Sequence, residues 1–447
     1  MFDVVDGVLE RAAARGVRDV EVYAERSTSR RIKVYKQEVE QLTAAERRGV
    51  GVRVFLDGAV GHAYSSDLSD GALDDVVRRA ADNAAVSDGD EFAALPVPGG
   101  PPADVTPFDE RLTATTDEQR IELALAVEAA ALAADPRIKT VEDTMYADGD
   151  GEVFIGSSAG VRGSYRANQC YVFAYALAEE HGKIETGYSY SVGRALEDLD
   201  AAACGAEAAQ RAVRLLGART CPSMKGPVLL DPFVAASFFG VLSSALTADA
   251  VQKGRSLFAG REGRQVAGEL LSLYDDGTLA DGLDSAPFDG EGVPTRRTPL
   301  IGDGGVLQGF LYDTYTARKA GRESTGNGGR GSYSSLPGVQ PTNLVVAGPV
   351  TPVADIIGGI ERGVLVTDAV GVHSGANPIS GEFSVGIAGV LIEGGRLTTP
   401  VHEVTLAGDI ISMLMNTHAL GDDARWVPGG SILTPSVLID GMAISGT

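Results

Sequence analysis

Apolar residues recur at helical spacing through Val4, Val5, Val8, Leu9 and Ala12, and Gly16 follows where a helix end favours a left-handed residue. The chain therefore opens on a short amphipathic helix. The stretch DVEVYAERSTSRRIKVYKQEVEQLTAAERRGVGVRVFLDGAVGHAYSSD then alternates apolar and polar positions. That period predicts a β-meander, with turns at Ser27-Thr28-Ser29, Arg47-Arg48-Gly49 and Asp57-Gly58. Helical spacing returns through Leu73, Val76, Val77, Ala80 and Ala84. Residues 1–95 thus form a first unit of helix, strands and helix.

Five prolines and two glycines between 93 and 109 predict a linker and a domain boundary. A second unit, residues 110–220, repeats the first unit's order. Thr115-Thr116-Asp117-Glu118 opens an Ala-rich helix to Ala134, with a capping residue and first-turn acids that suit the helix dipole. Strands follow from Ile138 to about Val192, broken by Asp-Gly and Ser-Ser-Ala-Gly turns, before Leu199, Ala202, Ala206, Ala209, Val213 and Leu216 mark another helix. From Cys221 the texture changes to short strands between glycines, with helices expected at 232–252, 311–320 and 352–362. The expectation is an α+β protein: helix-flanked antiparallel sheets in the N-terminal half, and a sheet-rich, Gly-rich C-terminal domain over 221–447.

Charge narrows the range of partners. Asp and Glu outnumber Lys and Arg by 61 to 38, and the resulting −23 repels phosphate backbones and anionic lipid heads. No nucleic acid and no membrane surface is expected. Three cysteines, Cys170, Cys204 and Cys221, have no CxxC spacing, which fits neither a disulfide framework nor a sulfur-based zinc site. The uncharged stretch with helical patterning, residues 232–248, is shorter than the ~20 residues a membrane span needs. The N-terminal residues lack a basic leader, and the expected address is the cytoplasm.

Catalytic motifs are incomplete. Gly156-Ser157-Ser158-Ala159-Gly160 fits GxSxG, but a strand-like VRGSYRANQ follows where a nucleophile elbow needs a helix, so a hairpin turn is expected. His402-Glu403 lacks a second histidine four positions on, because Leu406 stands there, and its alternating valines suit a strand. Asp148-Gly149-Asp150-Gly151 has Ala159 at the twelfth position of a calcium loop and is expected to be a turn. The acids Asp275, Asp276, Asp281, Asp284, Asp289 and Glu291 are expected in a solvated loop. His62, His181, His373 and His418 are scattered.

Three long segments carry a resemblance. KGRSLFAGREGRQVAGELLSLYDDGTLADGLDSAPFDGEGVPTRRTPLIGDGGVLQGFLYDTYTARKAGRESTGNGG, GANPISGEFSVGIAGVLIEGG and the ending SVLIDGMAISG resemble the TldD/PmbA (TldE) family, as does GVGVRVFLDGAVGHAYSSD near the start. The resemblance implies a heterodimer of TldD and TldE subunits that acts as a zinc metallopeptidase on unfolded or modified peptides, with the metal held by TldD. In TldD-type subunits the helix before the Lys-Gly pair carries HExxxH, and a cysteine near the C-terminus completes the site. Counted back from Gly254, those positions are Phe239, Gly240 and Ser244, and no cysteine follows Cys221. Phenylalanine, glycine and serine do not hold Zn²⁺. The resemblance is therefore to the TldE-type half, with no cofactor in this chain and zinc in the HExxxH-bearing partner.

The expected role is to complete the chamber of that heterodimer and to offer strand edges to an extended peptide. Candidate lining residues are Thr325, Gly326, Asn327 and Gly328, and the segment from Asn377 through Gly381, Glu382 and Phe383 to Ser384. A metal-free homodimeric binding or regulatory protein is the alternative. An enzyme with an unrelated site has only the Gly156–Gly160 turn and the acidic stretch to draw on.

Overall fold

The computed structural model describes residues 1–377, 379–427 and 431–446. In the first unit α1 (Phe2–Ala14) leads into β1 (Asp19–Tyr35), β2 (Glu38–Leu56), β3 (Ala59–Ser65) and α2 (Asp70–Val86). The β1–β2 turn is Lys36-Gln37, both with positive φ (53° and 58°), the mirror-image geometry that matches strand twist. Ser27-Thr28-Ser29 and Arg47-Arg48-Gly49 are not turns: the first pairs with Arg47, Glu46 and Ala45 and the second with Ser27, Arg26 and Glu25 inside the hairpin. Polar residues on an uncovered sheet face imitate turn composition.

The second unit runs α3 (Glu110–Ala114), α4 (Asp117–Ala134), β4 (Ile138–Ser157), β5 (Arg162–Glu180), β6 (Lys183–Gly193) and α5 (Ala201–Leu215). Thr116 caps α4 reciprocally: its hydroxyl accepts from Gln119 N at 3.3 Å and its N–H donates to Gln119 Oε1 at 2.9 Å. Asp148-Gly149-Asp150-Gly151, expected as a turn, lies inside β4 opposite Cys170 to Ala167. There Asp148 is buried and accepts from Arg120 Nε (2.5 Å) and the Tyr146 hydroxyl (2.8 Å). The Ser-Ser-Ala-Gly segment does join β4 to β5.

The two units share one antiparallel sheet, ordered β3-β2-β1-β4-β5-β6, because β1 and β4 pair from Glu21↔Ser157 to Val34↔Thr144. Val20, Val22 and Ala24 enter the core under α1 and α2, and Ile32 enters the core under α4 and α5. These are even positions of one strand, so all four helices lie on one face. A Cβ on Gly61 of β3 would sit 2.0 Å from Ala80 O of α2, and one on Gly187 of β6 would sit 2.3 Å from Ala212 N of α5. Each unit thus uses a glycine in its third strand to bring its helix close.

The C-terminal half continues with β7 (Met224–Leu230), α6 (Pro232–Ala245), α7 (Ala248–Gln252), β8 (Ser272–Asp276), β9 (Arg297–Gly302), β10 (Val306–Leu307), α8 (Thr314–Ala320), β11 (Gly328–Gly329), β12 (Gly338–Val339), β13 (Leu344–Ala347) and β14 (Val350–Thr351). Then come α9 (Val353–Gly358), β15 (Arg362–Val370), α10 (Val372–Gly375), β16 (Glu382–Glu393), β17 (Arg396–Asp409), α11 (Ile410–Met415), β18 (Thr417–Gly421), β19 (Arg425–Val427), β20 (Ile432–Thr434) and β21 (Val437–Ser445). One sheet follows the order β14-β18-β21-β17-β16-β15-β7, and β21 also pairs with β7, closing five strands into a ring. The other runs β10-β9-β8-β13-β20-β19. Helix α6 is apolar nearly all round and fills the core the two sheets share, through Phe238, Phe239 and Leu242. The expected helix 232–252 is two helices, because the Thr247 hydroxyl accepts from Ala250 N and caps a second start. His402 and Glu403 lie in β17, as their alternation implied. Among the described residues no helix is long and apolar enough to cross a membrane. The α+β reading holds, with one correction of form: the N-terminal half is a single sheet.

Candidate functional site

Helix α6 begins where Asp231 accepts from Val234 N at 2.9 Å, with Pro232 in the first turn. Phe239 is buried at 2% exposure in the core. Ser237, Gly240 and Ser244 share the less covered stripe, and a Cβ on Gly240 would meet Ile432 Cδ1 at an ordinary 3.5 Å. The Ser244 hydroxyl donates to Val241 O at 2.8 Å, so it is satisfied by its own helix. An aromatic ring, a missing side chain and an internally bonded hydroxyl do not fit a zinc ion, which takes thiolate, imidazole or carboxylate ligands. Among the described residues no group of three or more His, Cys, Asp or Glu is placed to hold a metal.

Segment 377–384 abuts this helix, with Phe383 packed edge-on against Phe238 at 4.9 Å between centroids. Pro378 within it lies outside the described residues. Its main-chain groups are used internally: Asn377 N donates to Glu382 O, Gly381 N to Asn377 O, and Ile379 N to Asn377 Oδ1. Glu382, Phe383 and Ser384 pair with Asp409, Gly408 and Ala407 of β17, while Phe383 bridges Ala376 on its other edge.

Thr325 to Gly328 sits elsewhere, against the acidic stretch. Asn327 is 2% exposed; its amide donates to Asp275 Oδ2 (2.7 Å) and Gln340 O (3.0 Å), and its oxygen accepts from the Thr325 hydroxyl (2.6 Å). Gly328 N donates to Asp289 Oδ2 at 2.7 Å. Gly326 has φ 76°, and a Cβ there would lie 2.5 Å from Pro294 O, so only glycine fits.

The acidic stretch is not the solvated loop its composition implied. Asp275, Asp276, Asp289 and Glu291 are buried, while Asp281 and Asp284 are exposed. Burial pushes Asp275 up to about 7 against the hydrogen bonds of Asn327 and Thr342. Burial and the charge of Glu291 push Asp289 to about 8, opposed by the N–H groups of Gly328, Glu291 and Val293.

Glu291 belongs to an ionic network across the seam between the halves. Arg53 of β2 donates to Glu21 of β1 (3.0 and 2.6 Å) and to Glu291 Oε1 (3.0 Å), and Glu291 Oε2 accepts from Thr314 N (2.8 Å). Arg330 donates to Glu21 and to Gly290 O. Burial opposes the charge of Glu21, but Arg330 and Arg53 overcome it and hold its carboxyl below the usual range. Beside this network lies a cavity of about 310 Å³, lined among others by Tyr23, Tyr165, Asp284, Asp289, Asn327 and Arg330. Gly326 and Asn327 of the expected lining segment border it, whereas Tyr23, Arg330 and the Glu21–Arg53 pair beside it were missed. The available signal was a charge inside each of two apolar strands, Glu21 in DVEVYA and Arg53 in GVRVF.

With this geometry in view, likeness to known proteins decides the family. Residues 20–84, 110–216 and 223–446 match PmbA/TldA metallopeptidase domain 1, central domain and C-terminal domain. Metalloprotease PmbA of Escherichia coli O157:H7 is 31% identical over 98% of this chain and 96% of its own length. The chain belongs to the PmbA/TldD family. A Metalloprotease TldD homolog of Haemophilus influenzae is 30% identical over 90% of this chain and 87% of its own. The crystal structure of TldE from Thermococcus kodakarensis superposes with a TM-score of 0.92 over 99% of this chain and 100% of that one, at 23% identity, which establishes the fold. All three PmbA/TldA domains are thus accounted for, and the first two share the single sheet described above.

Proposed function

We propose that this chain is the non-catalytic, TldE-like half of a heterodimeric zinc peptidase that cleaves unfolded or modified peptides in the cytoplasm. Its partner is an HExxxH-bearing TldD-like subunit, which holds the zinc. This chain completes the chamber and supports peptide binding, without nucleic acid or membrane. The observation that carries the reading is α6: Phe239, Gly240 and Ser244 leave that helix with nothing to ligate a metal or polarise its water. The membership of a metallopeptidase family supplies the context in which an empty helix has meaning.

The test is metal content and peptide cleavage of the purified chain, alone and co-purified with an HExxxH-bearing family member. Zinc and cleavage are expected in the mixed complex alone, and are expected to vanish when the partner's glutamate is changed. Stoichiometric zinc or cleavage by this chain alone overturns the reading. A stable homodimer that ignores the family member points to a metal-free binding or regulatory protein instead.

A further inference from the structure

The open face of the N-terminal sheet runs into the seam cavity, and together they form one groove. On β1 the odd positions face away from the four helices; Glu21 and Tyr23 are covered by the C-terminal half, and Ser27, Ser29 and Arg31 lie beyond it. The register places Ser27 between Arg47 and Gly151, Ser29 between Ala45 and Gly149, and Arg31 between Thr43 and Ala147. Most of the floor is therefore serine, alanine or glycine, so another backbone can approach it closely. Three hollows of about 470, 400 and 310 Å³ follow one another along this face. The first two share Ser29, Arg47, Gly149 and Gln169, and the last two share Ala167, Leu283 and Asp284.

Two further observations define the guest. Tyr23 lines the cavity with its ring beside Arg330, and its hydroxyl faces the cavity without a hydrogen-bond partner among the described residues. A hydroxyl open to the cavity can donate to or accept from a polar guest. Charge is divided between the ends. Asp284 supplies the negative charge at the cavity, where Asp289 is already bound by the N–H groups of Glu291, Val293 and Gly328 and Arg330 is committed to Glu21. Arg31 and Arg47 stand at the far end, where neither has an ion pair among the described residues.

We propose that this groove seats an extended peptide, with a lysine or arginine side chain in the seam cavity and an acidic residue against Arg31 and Arg47. From Tyr23 to Arg31 the strand advances roughly 26 Å at ~3.3 Å per residue, which an extended peptide spans in about eight residues. The proposal rests on the reading that this chain serves a peptide-processing assembly, and it adds the site and the charge preference. Lysine or arginine is favoured because its long apolar stem packs along Tyr165 and Phe288 while its head reaches the Asp284 carboxylate.

The test is fluorescence anisotropy with the full chain, purified alone, and a labelled decapeptide with lysine first, glutamate last and alternating serine and alanine between. Binding is expected, weaker by about tenfold when norleucine replaces lysine, a step of ~1.4 kcal/mol. Asp284→Asn is expected to erase the lysine preference, and Ala167→Trp, which blocks the junction of the last two hollows, to abolish binding; both sites are on the open side, and thermal melts check that the variants fold. Absence of binding, equal affinity for the lysine and norleucine peptides, or wild-type binding by Ala167→Trp overturns the proposal. Cleavage plays no part in the readout, so a chain that proved to bind zinc would sink the scaffold reading without deciding this one.

Discussion

Replacing Arg53 by methionine tests whether the seam network holds the two halves together. The guanidinium is 9% exposed and is shared between Glu21 and Glu291, whose side chains are 1% and 3% exposed. Methionine keeps most of the volume, so the change is chiefly electrostatic. Glu21 retains Arg330, whereas Glu291 is left with the single N–H of Thr314. Removing one partner of a buried ion pair costs about 3–5 kcal/mol, because a charge stays in a poorly solvating site. Equilibrium urea unfolding should show a loss of that size, without a change in slope if the native state stays compact. Adding Glu291→Gln removes the stranded charge while its amide oxygen still accepts from Thr314 N. The double variant is therefore expected to recover at least ~1 kcal/mol of the single variant's loss. A single-variant loss below about 1 kcal/mol, or strictly additive losses, would refute the account of the seam as an ionic lock.

Acid should stabilise the native fold in a defined window. Asp275 at about 7 and Asp289 at about 8 hold protons that the unfolded chain, near 3.8, gives up, so stability gains from them as pH falls from about 9 toward 4 and is fully present only below the unfolded value. The urea midpoint should rise between pH 9 and 6 and the rise should shrink in Asp275→Asn; a flat wild-type profile contradicts the direction. Gly61→Ala and Gly187→Ala should each lower the melting temperature, since the new Cβ meets backbone at 2.0 and 2.3 Å and overpacking of this kind costs about 1–3 kcal/mol. Melting that matches the wild type would show that the helices shift without penalty. Thr116→Ala should cost about 0.5–2 kcal/mol in urea unfolding through loss of the reciprocal cap on α4; no change would mean solvent replaces it.

What was legible in the sequence was what short-range chemistry dictates. The repeat of helix, strands and helix and the cap at Thr116 follow from spacing and side-chain identity, and each appears where expected. The errors share one physical source. Ser27-Thr28-Ser29 and Asp148-Gly149-Asp150-Gly151 have turn composition, yet cross-strand pairing over long β-strands overrides it, because the ladder pairs their backbone groups while Ser27 and Ser29 face the uncovered side and Asp148 is bound by Arg120 beneath α4. The same reasoning explains the acidic stretch. From sequence, Asp275 to Glu291 is a run of acids; in the fold, the Asn327 amide, the Thr342 hydroxyl, main-chain N–H groups and Arg53 converge on the buried ones from distant positions. Neither the pairing of β1 with β4 nor the approach of Arg330 to Glu21 is encoded within any window short enough to inspect locally, the partners being separated by more than a hundred residues. The parts of a site that depend on such convergence announce themselves only as local anomalies. Glu21 and Arg53, charges inside otherwise apolar strands, were two of them, and they mark the wall beside the seam cavity.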